Sequence, residues 1–90
     1  MHYEILNNAV QLINDDVVLA EVTFPEVKPG IVDINHTVVD HSLRGQGIAS
    51  ILMTMVANEL MNSNRKATCS CSYAVKWFSE HPEFQALLID

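Results

Sequence analysis

Apolar and polar residues alternate along the first half of the chain in short runs that predict β-strands. Apolar residues at 10, 12 and 13 precede an Asn-Asp-Asp cluster at 14–16, whose short polar side chains favour a turn. Residues 17–24 (VVLAEVTF) are rich in β-branched and aromatic side chains, and a Lys-Pro-Gly sequence at 28–30 predicts the next turn. The pattern therefore predicts strands that are separated by tight turns.

Residues 31–39 (IVDINHTVV) show the two-residue period of a half-buried strand. One face carries Val32, Ile34, His36 and Val38, and the other carries Asp33, Asn35 and Thr37. The position of His36 among apolar residues predicts a core histidine, with a catalytic general base as the alternative, because imidazole exchanges protons near neutral pH. We expect three antiparallel strands in a meander, with residues 2–6 as a candidate for a fourth.

The period changes in the second half of the chain. Over residues 45–61, polar residues recur every four positions opposite an apolar stripe, which predicts an amphipathic helix of about four turns. Residues 66–72 (KATCSCS) predict a short strand, residues 72–80 a second helix, and residues 82–88 a further turn or a closing strand. The fold class is therefore α+β: antiparallel strands, then a βαβ crossover with neighbouring parallel strands, and a C-terminal helix.

Composition and charge narrow the function classes. The 90 residues are 49% hydrophobic and 18% charged, which suits one small globular domain over residues 1–90. Five Lys and Arg against 11 Asp and Glu give a net charge of −6, which opposes binding to nucleic acid or to an anionic membrane. No apolar run approaches the ~20 residues that span a bilayer, and the N-terminus carries no secretory signal pattern. We expect a cytoplasmic protein with neither a nucleic-acid nor a membrane partner.

The cysteine and histidine residues form no metal-site pattern. Cys69 and Cys71 lie two residues apart, which is not C-x-x-C spacing, and the four histidines are scattered. On one strand, the two thiols would share a face in a geometry that does not suit a disulfide. We expect reduced thiols and no metal site.

The segment 40–49 (DHSLRGQGIA) lies between a predicted strand and a predicted helix. A helix start leaves backbone N–H groups unpaired and carries the positive end of the helix dipole. Gly45 and Gly47 let an anion approach this backbone closely, and Arg44 adds a cation. These features predict a phosphate or pyrophosphate site, with a simple chain-reversing turn as the alternative.

The sequence Arg-Gly-Gln-Gly-Ile-Ala at 44–49 resembles the Arg/Gln-x-x-Gly-x-Gly/Ala signature of the GNAT superfamily of acyl-CoA-dependent N-acetyltransferases. Asp-Ile-Asn-His-Thr at 33–37, Cys-Ser-Tyr at 71–73 and His-Pro-Glu at 81–83 resemble motifs of the small single-domain branch of this superfamily. The similarity runs from about residue 9 to residue 88, and the chain has no Rossmann or P-loop pattern. The resemblance implies a compact GNAT-like α+β domain.

The resemblance also implies that the ligand is acetyl-CoA or CoA. The pyrophosphate would lie on the backbone amides of Arg44, Gly45, Gln46, Gly47, Ile48 and Ala49. The pantetheine arm would pair like a strand with Thr37, Val38 and Val39, between two strands that part near Val39 and Cys71. A backbone N–H near Val39 would polarise the thioester carbonyl, as acyl transfer requires.

Two departures from the family pattern bear on activity. Ordinary members have N-terminal helices that wall the amine substrate, and 90 residues leave no room for them. We therefore expect an open surface that either admits a large macromolecular acceptor or is completed by a dimer partner. The helix run that ends in Leu-Tyr in the family ends here in Trp77-Phe78, and Phe78 lacks the hydroxyl that protonates the departing thiolate. Tyr73 is a candidate substitute, with simple packing as the alternative.

Cys71 is the candidate nucleophile. At a strand end and a helix start, its thiolate would be favoured by the helix dipole, which lowers a thiol pKa. It would take the acetyl group from CoA by thioester exchange and pass it to an acceptor, a route that needs no Tyr acid. The alternative is a small buried apolar residue, as free cysteines usually are, and Cys69 is a weaker candidate deeper in the strand.

Three functions remain open at this stage. The first is an N-acetyltransferase that moves acetyl from CoA to an unidentified amine or protein acceptor, and the second is a CoA-binding or sensor module without turnover. The third is an interaction domain whose glycine-rich loop binds nothing. Arg65, Lys66 and Lys76, three of the five cations, are candidates for neutralising the CoA 3′-phosphate, with solvated surface as the alternative.

Overall fold

Seven strands and two α-helices make up an α+β fold in the computed structural model, which describes residues 1–89. The strands are β1 (His2–Ile5), β2 (Ala9–Asn14), β3 (Val17–Thr23), β4 (Glu26–Lys28), β5 (Ile31–Ile34), β6 (His36–Val39) and β7 (Lys66–Cys69). The helices are α1 (Ile48–Asn62), between β6 and β7, and α2 (Ser72–Ser79) after β7. Short 3-10 helices lie at His41–Leu43 and Pro82–Leu87. The predicted fold class is confirmed.

The first three strands form an antiparallel meander, and β1 is the predicted additional strand. The turn between β2 and β3 places Asp15 and Asp16 at φ of 50° and 65°, a left-handed backbone that aspartate tolerates better than most residues. β6 adds to the open side of β3, so the order in this sheet is β1-β2-β3-β6. The expected turn at residues 14–16 is therefore present.

The single strand predicted over residues 31–39 is wrong, because the chain divides at Asn35 into β5 and β6. The Asn35 N–H donates to the Thr23 carbonyl (3.2 Å), and His36 is the register partner of Thr23. Two residues therefore stand opposite one, which defines a β-bulge. The extra residue reverses the predicted inward and outward positions of the side chains that follow it.

The reversal decides which side chains reach the core. Val32 and Ile34 of β5 are fully buried, and Thr37 of β6 is half-buried on the same side of the sheet. His36 and Val38 lie on the opposite, outer face and are exposed. The prediction that His36 is a core histidine is wrong for this reason.

The predicted crossover is confirmed, because β5 and β7 are parallel neighbours joined through α1. β7 ends at Cys69, opposite Ile34 of β5, and not at residue 72. The short β4 was not predicted and pairs with the other edge of β5. Leu88 forms a parallel bridge with Ala67 of β7, so the C-terminal segment combines the two predicted alternatives, a helical turn and a strand contact.

α1 packs its apolar face on β2, β3, β6 and β7 and forms the core with them. The helix buries Leu52, Met53, Val56, Ala57 and Leu60, and α2 adds Ala74, Trp77 and Phe78. α1 begins at Ile48, three residues later than predicted. Gly45 and Gly47 stand at φ of 83° and 75°, which a right-handed helix does not allow.

The C-terminal end of α1 is held by one buried cation, Arg65. Its Nη1 donates to the Asn7 carbonyl (2.8 Å) and its Nε donates to the Ser63 hydroxyl (2.7 Å). Its Nη2 lies 3.5 Å from a Glu59 carboxylate oxygen, and the guanidinium lies over the Phe24 ring at 5.6 Å. Arg65 therefore joins the helix end to the loop between β1 and β2.

Candidate active site

The strands form two sheets, β1-β2-β3-β6 and β4-β5-β7, which part where β5 gives way to β6. β5 and β7 are paired as far as Ile34 and Cys69, and beyond this point β6 pairs with β3 while β7 ends. The Ile34 carbonyl accepts from the N–H groups of both Ser70 and Cys71, each at 3.1 Å. We call the opening between β6 and the end of β7 the fork.

The backbone N–H and C=O groups of alternate residues in β6 face the fork. The Asp40 N–H donates to the Leu19 carbonyl at the end of the β3–β6 ladder (2.7 Å). Because backbone direction alternates along an antiparallel strand, Val38 also turns its backbone to β3, whereas Thr37 and Val39 turn theirs to the fork. Of the three predicted pantetheine-binding residues, Thr37 and Val39 are thus the two with backbone groups on the fork side.

Cys71 lies at the base of the fork, where it is the N-cap residue of α2. Its Sγ is 3.6 Å from the Thr37 Oγ1, within hydrogen-bond distance for sulfur. Partial burial opposes ionisation, but the N–H groups of Ala74, Tyr73 and Thr37 and the Thr37 hydroxyl outweigh it and lower the pKa of Cys71. The residue predicted to be the nucleophile therefore carries the more acidic of the two thiols.

Cys69 is chemically different although it is only two residues away. Burial, followed by the nearby Asp33 carboxylate and Cys71, raises the pKa of Cys69 to about 11. Asp33 itself accepts hydrogen bonds from the hydroxyls of Thr68 (2.6 Å) and Ser70. Cys69 is therefore a neutral thiol at physiological pH.

The loop between β6 and α1 is held in place at its beginning. The Asp40 carboxylate accepts from the N–H (3.0 Å) and the hydroxyl of Ser42, and these two bonds lower the pKa of Asp40 against a small opposing effect of burial. Leu43 is buried and anchors the loop on the core. The loop then passes through the left-handed Gly45 and Gly47 and enters α1.

The start of α1 leaves its first N–H groups without protein acceptors. Its N-cap is Gly47, which has no side chain to accept from them, and the first intrahelical bond is from the Ile51 N–H to the Gly47 carbonyl (3.1 Å). A Cβ at Gly45 or at Gly47 would meet no atom within 4 Å, so the space beside the loop is open. This donor set fits an anionic ligand such as a phosphate.

A cavity of about 190 Å³ opens at this helix start. Its walls are residues 43–45 and 47–50 together with Val39 and Tyr73. We call these residues the cradle. Of the predicted pyrophosphate-binding residues, Gln46 is exposed and does not line the cavity, whereas Arg44 does and also donates through Nε to the Val39 carbonyl (3.4 Å).

Tyr73, on α2, faces the same cavity as the start of α1. Burial raises the pKa of Tyr73, the Ser50 hydroxyl opposes this rise, and the charges of Glu80 and Cys71 add to it. Phe78, at the position where the resemblance places the family's proton-donating Tyr, is fully buried in the core and does not line this cavity. Tyr73 is therefore the phenol that the structure places at the cradle.

Ser50 was not predicted as a site residue. Its hydroxyl accepts from the Trp77 Nε1 (2.9 Å), and it lines the cavity beside Tyr73. In the sequence Ser50 is one of several polar residues spaced along α1, and nothing in that spacing separates it from Thr54 or Asn58. The pairing with Trp77 depends on how the two helices pack.

His36, the third candidate catalytic residue, stands apart from the Cys71 thiol. It precedes Thr37 in β6 and points to the outer face of the sheet, whereas Thr37 contacts Cys71. The outer face beside it carries Asn35, whose side-chain oxygen accepts from the Thr23 hydroxyl (2.6 Å). His36 is therefore exposed on the face of the sheet opposite α1.

Two of the three candidate 3′-phosphate ligands are engaged elsewhere. Arg65 is buried at the far end of α1, so its assignment to the ligand is wrong. Lys66 donates through Nζ to the Ala86 carbonyl (2.8 Å). Lys76 is exposed on α2, three residues after Tyr73, and its assignment to the 3′-phosphate stays a prediction.

The described residues 1–89 contain neither a metal-binding cluster nor a membrane-spanning helix. No group of three or more His, Cys, Asp or Glu side chains in them is arranged to hold a metal ion. Neither α1 nor α2 has the length and apolarity needed to cross a membrane.

Comparison with known proteins gives a family and a set of similar folds. The profile of the family described as GCN5-related N-acetyl-transferase matches residues 3–87. The solution structure of a GCN5-like protein from Staphylococcus aureus is similar over 98% of this chain and 87% of that one, with 26% identity and a TM-score of 0.79. No curated protein matches the sequence.

Two larger proteins share the fold. The ribosomal-protein-alanine N-acetyltransferase of Brucella melitensis is 23% identical over 80% of this chain (TM-score 0.57), and Tetrahymena GCN5 is 12% identical over 91% (TM-score 0.64). This chain spans 60% of the length of each of them. Because the family profile covers nearly all of the sequence and the fold agrees, this chain belongs to the GCN5-related N-acetyltransferase family.

Proposed function

We propose that this chain binds acetyl-CoA and transfers its acetyl group to an amine, on a protein or on a smaller acceptor, through Cys71. The observation that carries the proposal is the position of Val39. Val39 lines the cradle, and it also belongs to the strand that forms one edge of the fork. A ligand with phosphate in the cradle would therefore extend along Val39 toward the Cys71 thiol.

The chain has separate groups for the two parts of such a ligand. The free N–H groups at the start of α1, with the exposed Arg44, would hold the pyrophosphate, because a helix start favours anions. The fork-facing backbone of Thr37 would pair with the amides of the pantetheine arm, since the Val39 carbonyl accepts from the Arg44 Nε. The Val39 N–H is the donor that would stabilise negative charge on a carbonyl oxygen in the fork.

Cys71 would act as a nucleophile in two balanced steps. Acetyl-CoA supplies an acetyl group that is activated as a thioester. The Cys71 thiolate bonds to the acetyl carbon as the bond from this carbon to the CoA sulfur breaks, and the departing sulfur takes a proton from the Tyr73 hydroxyl. The acceptor amine then attacks acetyl-Cys71, which restores the thiolate, and the proton that the amine loses restores the phenol through solvent.

The acceptor would approach from the outer face of the sheet. The cradle and α1 occupy the other face, and His36 lies exposed on the outer one. His36 is suited to take the proton that an ammonium group must lose before it attacks. We therefore assign His36 to the acceptor and not to Cys71.

A CoA-binding module without turnover is the second candidate. The observation that favours it is Phe78, which is buried in the core and has no hydroxyl, at the position of the family's usual acid. This candidate requires the cradle and the fork but not an acylated Cys71.

Native mass spectrometry after incubation with acetyl-CoA separates these candidates. The wild-type protein is compared with Cys71→Ala, and Cys69→Ala is the matched control because Cys69 carries the same atoms two residues away. We expect a stable acetyl increment on the wild type and on Cys69→Ala, removed by an added amine, and only a dissociable ligand adduct on Cys71→Ala.

The other outcomes reject parts of the proposal. A dissociable CoA adduct without acetyl increment on any variant would establish the binding module. An acetyl increment that survives Cys71→Ala would remove Cys71 from the route. Absence of any adduct at millimolar ligand would reject both candidates.

A further inference from the structure

One hydrogen bond joins the two helices directly behind the cradle. The Trp77 indole Nε1 of α2 donates to the Ser50 hydroxyl oxygen of α1 over 2.9 Å. The indole is 2% exposed and is fixed on both sides. It stacks on the His81 ring at 3.8 Å and meets the Phe78 ring edge-on at 5.0 Å. The position of this donor is therefore set by packing.

A serine hydroxyl has a single hydrogen, and the bond from Trp77 decides where that hydrogen can go. Because the indole N–H is only a donor, Ser50 accepts from it and keeps its own hydrogen free for another acceptor. The Ser50 carbonyl is already used by the Thr54 hydroxyl (2.9 Å). Ser50 and Tyr73 line the same cavity, and the Ser50 hydroxyl acts to lower the pKa of the Tyr73 phenol.

We propose that Ser50 is a positioning residue for Tyr73. Fixed by Trp77, Ser50 gives its hydrogen to the Tyr73 phenol oxygen, so that the phenol's own hydrogen points into the cavity. The donors then run in one direction, from Trp77 to Ser50 to Tyr73 to the ligand. This inference deepens the proposed function and rests on it, since Tyr73 is there the group that protonates the departing sulfur.

A hydrogen bond in this direction would also affect the pKa of Tyr73. Burial raises the pKa of Tyr73, and the Ser50 hydroxyl counteracts the rise. A hydroxyl that donates to a phenol oxygen stabilises the phenolate more than the phenol and lowers the pKa, whereas one that accepts from the phenol has the opposite effect. Ser50 would therefore also ease the loss of the proton that Tyr73 transfers.

The sequence allows the phenol to be observed alone, because Tyr3 and Tyr73 are its two tyrosines. Tyr3 lies on the exposed edge strand β1, so Tyr3→Phe is a suitable background. Ultraviolet titration of tyrosinate in this background follows Tyr73. Ser50→Ala should move its midpoint to higher pH, Ser50→Thr should leave it in place, and Trp77→Phe should move it less far than Ser50→Ala.

Kinetics provide the second measurement. For acetyl transfer, Ser50→Ala should lower kcat about tenfold with the KM for acetyl-CoA within twofold of wild type, and Ser50→Thr should restore kcat. Circular dichroism of each variant, compared with the parent, shows that the fold is kept. A helix-packing role alone would change stability but would move neither the tyrosinate midpoint nor kcat selectively.

The two measurements separate this inference from the proposed function. An unchanged Tyr73 midpoint in a folded Ser50→Ala variant overturns the positioning role, whatever the activity. A shifted midpoint in Ser50→Ala with none in Trp77→Phe overturns the part assigned to Trp77. A shifted midpoint in both variants supports the chain of hydrogen bonds from Trp77 through Ser50 to Tyr73. If acetyl transfer is absent in that case, the proposed function fails while this inference stands.

Discussion

The two ends of α1 are built in opposite ways. The helix has 15 residues and is therefore about 22 Å long, which keeps its ends well apart. At the end that begins with Gly47, the first N–H groups have no side-chain cap and face a cavity. We call this the open end, and it includes the fork and Cys71. The other end, which we call the closed end, is capped by Ser63 and tied down by Arg65.

The difference separates groups that hold the fold from groups that are available to a ligand. At the closed end, Ser63 donates to the Glu59 carbonyl (2.8 Å) and accepts from Arg65, which itself reaches the Asn7 carbonyl. Among residues 1–89, no buried side-chain nitrogen or oxygen lacks a partner. At the open end, the first backbone N–H groups of α1 have no side-chain cap and remain available to an anionic ligand.

The largest expected effect breaks the closed end. Arg65→Ala should lower the free energy of unfolding by about 3 kcal/mol, because it removes two buried charge-assisted hydrogen bonds. Urea unfolding measures this loss. Arg44→Ala, the same change at the exposed cation of the open end, should alter stability by less than about 0.5 kcal/mol. CoA affinity should show the opposite order, because Arg44→Ala should weaken CoA binding and Arg65→Ala should leave it near wild type. A loss of affinity in folded Arg65→Ala but not in Arg44→Ala would contradict the assignment.

A charge at Gly47 tests the open end. Both Asp and Asn tolerate the left-handed backbone, and a Cβ at Gly47 meets no neighbouring atom, so each should fold. Gly47→Asp should weaken CoA binding about 100-fold, since two like unit charges about 6 Å apart cost roughly 3 kcal/mol at an effective dielectric constant near 20. Calorimetric titration gives the affinities. Equal losses in Gly47→Asp and in the isosteric Gly47→Asn would show that shape and not anion binding is responsible.

Cys69 and Cys71 lie two residues apart and should differ strongly in their rate of alkylation. With the pKa of Cys69 at about 11 and the pKa of Cys71 below its ordinary value of 9.0, Cys71 has at least a 100-fold larger thiolate fraction at neutral pH. The lower intrinsic nucleophilicity of the more acidic thiol offsets about tenfold of this ratio. Iodoacetamide should therefore alkylate Cys71 at least ten times faster than Cys69, as read by peptide mass spectrometry.

The pH dependence of alkylation provides the check on this prediction. The Cys71 rate should rise tenfold per pH unit and level off below pH 9, because its thiolate is the reacting form. The Cys69 rate should still rise toward pH 11. Equal rates for the two residues would remove the electrostatic basis for Cys71 as nucleophile.

The smallest expected effect is at Ser63. Ser63→Ala removes the hydroxyl that bonds both Glu59 and Arg65 and should cost about 1 kcal/mol of stability. CoA affinity should stay within twofold of wild type, since the change lies at the far end of α1. Thermal unfolding and calorimetry on the same sample measure both quantities, and a loss of affinity without a loss of stability would contradict the separation of the two ends.

Local patterns predicted the elements whose partners are close in the sequence. The turn at 14–16, the helix α1 and the parallel strands on either side of it follow from periodicity and turn chemistry. The cradle loop was also predictable, because glycine spacing between a strand and a helix has a direct meaning for the backbone. These features need no knowledge of distant contacts.

Features that depend on distant contacts were missed. Alternation runs unbroken through residues 31–39, and the bulge at Asn35 arises because β5 pairs with β7 while β6 pairs with β3. The sequence offers Arg65 as a candidate 3′-phosphate ligand or a solvated cation, and its actual carbonyl partner, Asn7, is 58 residues away. The bond from Trp77 to Ser50 joins residues 27 positions apart on two helices. Each of them is decided by tertiary packing.

The most direct test of the account is a ¹H–¹⁵N NMR titration of the uniformly labelled protein with CoA. The account predicts that the amide signals of Gly45, Gly47 and the first turn of α1 shift first and most, together with those of Thr37 and Val39. The signals of Ser63 and Arg65 at the closed end should not move. Shifts that are confined to the closed end, or no shifts at millimolar CoA, would contradict the claim that the open end is the ligand site.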